Sequence, residues 1–155
     1  MALAIEVALR SAQQGSGPFG AVVADPEGRA VDVGWNEVVS SHDSTAHAEI
    51  TALRRAQARA GTHRLEGYAL YTSCAPCIQC YGAIYWSGVS RVYAAARKED
   101  AEEIGFDEGP PMRALWDHAR EARGIALHED FHRDERALAP LKLYKARGGP
   151  DYSHH

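Results

Sequence analysis

The sequence predicts an α/β fold in three layers, a mixed sheet covered by helices on both faces, and three observations carry that expectation. Phe19-Gly20-Ala21-Val22-Val23-Ala24 and Ala30 to Trp35 are short apolar runs joined by Asp25-Pro26-Glu27-Gly28, a hairpin that starts the sheet antiparallel. From Tyr68 onward, strand-like and helix-like segments alternate, which requires parallel pairing in that half. The chain has 155 residues, 45% of them hydrophobic, which suits one domain able to bury a sheet between helices.

Taken in order, Leu3, Ile5, Val7, Ala8, Leu9 and Ala12 cover one face of a first helix that Gly15 and Gly17 end. The hairpin follows. Asn36 to Asp43 is polar and aperiodic, so a loop is expected, with Ser44 or Thr45 capping a helix from near Ala46 to just before Gly61. Tyr68 to Thr72 reads as a buried strand, Pro76 as a first-turn proline and Cys77 to Ser87 as the helix behind it. Val89 to Ala95 is the next strand, Pro111 to Arg123 a helix, Ile125 to His128 a last strand and Glu135 to Arg147 a last helix. No repeat, linker or low-complexity tract interrupts this order.

Composition excludes several roles. The net charge is −4 and the isoelectric point about 6.0, so no basic footprint for gripping phosphates is present. Glu6 and Arg10 break the apolar N-terminal stretch, so a secretory signal is not expected, and no apolar run approaches a membrane span. An odd number of cysteines, clustered, argues against disulfides and for a reducing cytoplasm.

All three cysteines fall within Cys74-Ala75-Pro76-Cys77-Ile78-Gln79-Cys80, and the last two have the C-x-x-C spacing of metal ligands. His47 is the best third ligand, because Glu49 two residues on supplies a base beside the metal. Cys77 and Cys80 share a helix face. His47 and Glu49 do not, so both serve one site only if it lies off the helix's N-terminal end, toward which side chains lean. Two other readings stay open. Redox use also places C-x-x-C at a helix start, and a structural zinc would take Cys74 as a fourth ligand.

With P-C-x-x-C and H-x-E together, the pattern is identified as the zinc deaminase signature. Pro18 to Val23, Asn36, Thr45 to Glu49, Tyr71 to Cys80 and Gly82-Ala83-Ile84-Tyr85-Trp86 resemble the cytidine deaminase-like superfamily, over about Pro18 to Glu108. Ile104-Gly105-Phe106-Asp107-Glu108 narrows the resemblance to its bacterial guanine deaminases. That resemblance implies a five-stranded mixed sheet and one zinc per chain, on His47, Cys77 and Cys80. It implies Glu49 as proton shuttle, with Glu108 assisting. Phe19, Asn36, Ala48, Phe106 and Asp107 would line the base pocket, and Tyr152, with Tyr144 as second choice, would close it. It implies also a homodimer in which the C-terminal segment, about residues 130–155, is exchanged.

Ala75 stands where the family usually has a glutamate, and Glu108 where it has an aspartate. The expected function is hydrolysis of guanine to xanthine and ammonia by a single zinc-dependent domain acting on a small nucleobase, with neither membrane nor nucleic acid as partner. Its rivals are deaminases of cytosine, isocytosine, an aminotriazine or guanosine, and, against the acidic balance, of tRNA adenosine. From another class, the rival is a non-catalytic zinc-stabilised binding module. Tyr85 and Trp86 read as dimer or core packing, and His42, His63, His118, His128 and His132 have no ligand spacing.

Overall fold

The computed structural model describes residues 1–121, 129–131 and 134–149. Helix α1 (Ala2–Gln13) leads into strands β1 (Gly20–Ala24) and β2 (Ala30–Trp35), as the hairpin reading expects. Gly28 closes the turn with φ +81°, and its N–H donates to the Asp25 carbonyl at 2.9 Å. A four-residue helix, α2 (Val38–Ser41), sits inside the segment expected to be a loop. Its length is too short for any periodicity to show.

Helix α3 (Ala48–Ala60), strand β3 (Ala69–Thr72), helix α4 (Ile78–Ser87) and strand β4 (Arg91–Ala94) then alternate. A short α5 (Lys98–Glu102) precedes α6 (Gly109–Glu121), whose prolines occupy its first turn. The last strand, β5, is Glu129–Phe131, displaced from the expected Ile125 to His128, which lies outside the described residues. A 3₁₀ turn (Glu135–Ala137) opens the final helix α7 (Leu138–Ala146).

The five strands run in the order β2-β1-β3-β4-β5. β1 is antiparallel to both β2 and β3, while β3, β4 and β5 are parallel, so the sheet is mixed where the sequence placed the change. The fifth strand is only three residues long.

Two cores flank the sheet. Ala21, Val23, Leu70 and Val92 pack against Ala48, Ala52, Leu53 and Ile84 on the α3 and α4 side. On the other face Ile5 meets Leu141, Ala101 and Ala137 beneath α1, α5 and α7. Two glycines set the helix depth. A Cβ at Gly34 would lie 2.3 Å from the Ala48 carbonyl and the Ala52 nitrogen, and one at Gly20 would lie 2.4 Å from the Ala8 nitrogen. Helix backbone therefore rests directly on strand backbone at both places, α3 on one face and α1 on the other.

Candidate metal and substrate site

Register brings four chain segments to one edge of the sheet. Gly20 pairs with Trp35, Ala21 with Thr72 and Thr72 with Ala94. Phe19, Asn36, the Ser73 to Cys77 loop and Ala95 to Lys98 all leave the sheet there. This is the C-terminal edge of parallel strands β3 and β4, where open α/β sheets carry their ligands.

Helices α3 and α4 begin at the same edge. His47 and Cys77 are their N-cap residues, both extended, at φ −68°, ψ 157° and φ −77°, ψ 170°. The expected cap from Ser44 or Thr45 does not form. Asp43 instead takes the Thr45 N–H at 2.8 Å and its hydroxyl at 2.6 Å in a local turn. Pro76 accordingly stands just before the α4 cap, not in its first turn.

Neither cap side chain bonds its own helix, because the two turn toward each other. His47 Nδ1 lies 3.4 Å from Cys77 Sγ and 3.6 Å from Cys80 Sγ, and the two sulfurs are 3.5 Å apart. Zinc bonds of about 2.0–2.1 Å to nitrogen and 2.3 Å to sulfur give tetrahedral edges of roughly 3.5–3.8 Å. The triangle fits that ion. No other group among the described residues has this metal-holding geometry.

The thiols show what charge the site wants. Hydrogen bonding from Cys80, and then from His47, holds the Cys77 thiol down at about 4 despite its burial. Cys80 is pushed up because it donates to Cys77 and is buried. One negative charge is thus shared by two sulfurs, and a divalent cation is what would let both ionise. Burial is the largest single influence on His47 and lowers its basicity, but the bond to Cys77 and the charges of Cys77, Glu49 and Glu108 together outweigh it and the net shift is upward.

Cys74 stays apart. Its thiol donates to the Arg97 carbonyl at 3.3 Å, and burial pushes it far above the ordinary thiol range. The described residues therefore offer three ligands and no fourth, which disfavours a closed structural zinc.

Glu49 is almost wholly enclosed beside the triangle, off the N-terminal end of α3. Its Oε1 accepts from the Thr72 hydroxyl at 3.2 Å and its Oε2 from the Cys80 thiol at 3.4 Å. Burial, then the Cys77 charge, raises its pKa, so the carboxylate is disposed to take a proton. Thr72 is a residue that sequence reasoning missed; a lone hydroxyl at a strand end gives no spacing signal.

The substrate side is less uniform. Asn36 is 2% exposed, and its Oδ1 accepts from the Val38 N–H at 3.3 Å, which closes a local turn. Its Nδ2 finds no acceptor among the described residues, which leaves a buried donor for a ligand. Phe19 and Phe106 are half-buried and pack edge to face at 4.9 Å, with Tyr144 5.5 Å beyond Phe106. The Ala48 methyl is fully buried in the α3 core, so only its backbone can meet a ligand.

The two adjacent acids part company. Asp107 Oδ1 accepts from the Gly109 N–H at 2.9 Å and its other oxygen pairs with Arg113, which ties it to the start of α6. Glu108 pairs with Lys98 at 2.7 Å and acts electrostatically on His47 and Cys77. Burial raises the Glu108 carboxyl, against the pull of Lys98. Lys98 too escaped sequence reasoning, hidden in an acidic run. Tyr152 lies outside the described residues, and Tyr144, the second choice, is in the aromatic cluster.

Core packing is overturned for one pair: Tyr85 and Trp86 are 55% and 76% exposed, stacked edge to face on each other. Among the described residues no helix is long and apolar enough to cross a membrane.

Known proteins are similar to this chain in sequence and in fold. The family model of the cytidine and deoxycytidylate deaminase zinc-binding region matches residues 1–96. A guanine deaminase of Bacillus subtilis is 45% identical over 113 residues, 73% of this chain and 71% of the relative. A tRNA-specific adenosine deaminase of Buchnera aphidicola is 38% identical over 106 residues, 68% of this chain and 70% of the relative. Among solved structures, a guanine deaminase from Nitrosomonas europaea superposes with a TM-score of 0.79 at 39% identity, covering 94% of this chain and 82% of that one. The matched residues hold the whole histidine and cysteine triangle and Glu49, so sequence, fold and geometry agree that the chain belongs to the cytidine and deoxycytidylate deaminase zinc-binding family.

Proposed function

We propose that this protein is a zinc-dependent hydrolase that converts guanine to xanthine and ammonia, with His47, Cys77 and Cys80 holding the metal and Glu49 moving the protons. The observation that carries it is the three-ligand triangle with the enclosed Glu49 carboxylate against it. Guanine is favoured among nucleobases by the similarity to guanine deaminases in both sequence and structure.

Zinc supplies Lewis acidity, which makes a water nucleophilic near neutral pH. Glu49, with Thr72 holding one oxygen, takes the proton of that water as its oxygen joins C2 of guanine, and passes it to the adjacent ring nitrogen. Glu49 next takes the second proton, from the oxygen now on C2, and delivers it to the exocyclic amine, which leaves as ammonia as the C2–N bond breaks. Water adds one oxygen and two hydrogens, and the products xanthine and ammonia account for them. In this reading the buried Asn36 Nδ2 donates to the base, Phe19 and Phe106 cover its ring, and Glu108, not Asp107, meets the amine edge. The Ala48 backbone completes the wall.

Residues 1–155 act as a single domain in this reading, and the working form is a homodimer. The exposed Tyr85 and Trp86 supply its apolar surface. In this reading the C-terminal segment, about residues 130–155, is exchanged between the two protomers, and its Tyr152 caps the partner's pocket. Three free cysteines suit a reducing cytoplasm. A tRNA substrate is disfavoured by the net charge of −4.

The test is Glu49→Gln with zinc and ammonia both measured. Zinc should remain at one per chain while ammonia release from guanine falls by roughly 10³-fold or more. Near-normal turnover would sink the proposal. A panel of guanine, guanosine, cytosine and an aminotriazine then fixes the substrate, and guanine should lead it.

A further inference from the structure

The Lys98 ammonium and the Glu108 carboxylate meet at 2.7 Å, with only 20% and 19% of their side chains exposed. A charge-assisted bond in so dry a place is strong and fixes the direction of both partners. Its surroundings point each group one way. Asp107 is held off by Gly109 and by Arg113, which also reaches Glu102 at 3.5 Å, so Glu108 is the acid of the pair whose charge bears on His47 and Cys77.

The origin of Lys98 is fixed as firmly as its end. Lys98 is the first residue of α5, and the Arg97 N–H before it donates to Asp100 at 2.7 Å. The Arg97 carbonyl takes the Cys74 thiol. Alongside, the Ala75 N–H donates to the Ala96 carbonyl at 2.9 Å and the Ala96 N–H to the Ser73 carbonyl at 3.0 Å. The loop that delivers Cys77 to the metal site is therefore laced to the residues that deliver Lys98.

We propose that Lys98 is a positioning residue for the reaction: it holds the Glu108 carboxylate at the mouth of the metal site, where that acid meets the departing amine. This rests on the reading of Glu108 given above. Lys98 touches no substrate and acts through Glu108 alone.

The experiment is steady-state kinetics with guanine on the zinc-loaded protein, using Glu108→Gln, Lys98→Met, Lys98→Arg and the double variant Glu108→Gln with Lys98→Met. Zinc content and melting temperature are recorded for each, and Lys98→Gln replaces Lys98→Met should the latter not hold one zinc. Glu108→Gln is expected to lower kcat by roughly 10²-fold or more. Lys98→Met should lower kcat by roughly 10- to 100-fold, the effect of losing a hydrogen bond to a charged group, with KM changed by less than about threefold. Lys98→Arg should recover most of that loss. The double variant should be no slower than Glu108→Gln alone, within about threefold, because the two residues act as one unit.

A Lys98→Met variant as fast as the native protein, beside a slow Glu108→Gln, overturns the role of Lys98 and leaves Glu108 standing. A Lys98 loss that repeats in full in the Glu108→Gln background overturns it too, since Lys98 would then act elsewhere. A fast Glu108→Gln removes the reading of Glu108 itself, and with it anything for Lys98 to position.

Discussion

The two sides of the site are built by different means. On the metal side, His47 and Cys77 are both N-caps in extended backbone, and Glu49 and Cys80 follow within one turn of each. Four functional groups are thereby placed by two helix starts. On the substrate side, Phe19, Asn36, Phe106, Glu108 and Tyr144 come from four separate segments and are held by individual side-chain contacts, Phe19 and Tyr144 against Phe106, Asn36 on the Val38 N–H and Glu108 on Lys98. Backbone geometry tolerates little variation, whereas side-chain contacts can be rearranged. The metal side therefore fixes the kind of reaction, and the substrate side is where specificity can change.

Variants that strike the metal side should have the largest effects. Cys77→Ala should leave zinc below one per chain after dialysis, measured by atomic absorption, and activity should fall by roughly three powers of ten or more, because a water without the metal's Lewis acidity is a poor nucleophile. Gly34→Ala strikes the same side indirectly. A Cβ 2.3 Å from the backbone of α3 must displace that helix, and with it His47 and Glu49. We expect a cost of about 3 kcal/mol or more in denaturant unfolding, together with lost activity. An unchanged midpoint would mean that α3 is not seated as described.

A smaller effect is expected on the substrate side. Asn36→Ala removes a buried donor that finds no acceptor among the described residues, and should lower kcat/KM for guanine by roughly 10- to 100-fold with zinc retained. The smallest is Cys74→Ser. Serine still donates to the Arg97 carbonyl, so zinc content and kcat should stay within about threefold of native. Metal loss in that variant would make Cys74 a ligand and the site a structural one.

The same contrast explains what was legible in the sequence. His47, Glu49, Cys77 and Cys80 could be read because their spacing is a local consequence of helix starts. The hairpin, and the change to parallel strands at β3, could be read because turn chemistry and alternation are local as well. The cap of α3 could not, since whether Thr45 caps its helix depends on Asp43 capturing it first. Nor could the pairing of Glu108 with Lys98, ten residues apart across a short helix whose ends carry no periodic signal. Tyr85 and Trp86 misled in one respect: aromatic residues ending a helix look like core until the surface is seen.

Gly20 and Gly34 carry a consequence for how this chain can drift over evolutionary time. At the corner they form, backbone lies on backbone on both faces of the sheet, with no layer of rotamers between to absorb a substitution. Elsewhere in the core, side chains of similar volume can be exchanged while the fold persists. Here the spacing is set by backbone atoms and by the missing Cβ at two positions, so only substitution of Gly20 or Gly34 themselves changes it directly. The depth at which α3 presents His47 and Glu49 is thus insulated from the gradual turnover of the hydrophobic interior, and the catalytic geometry can outlast most of the sequence that surrounds it.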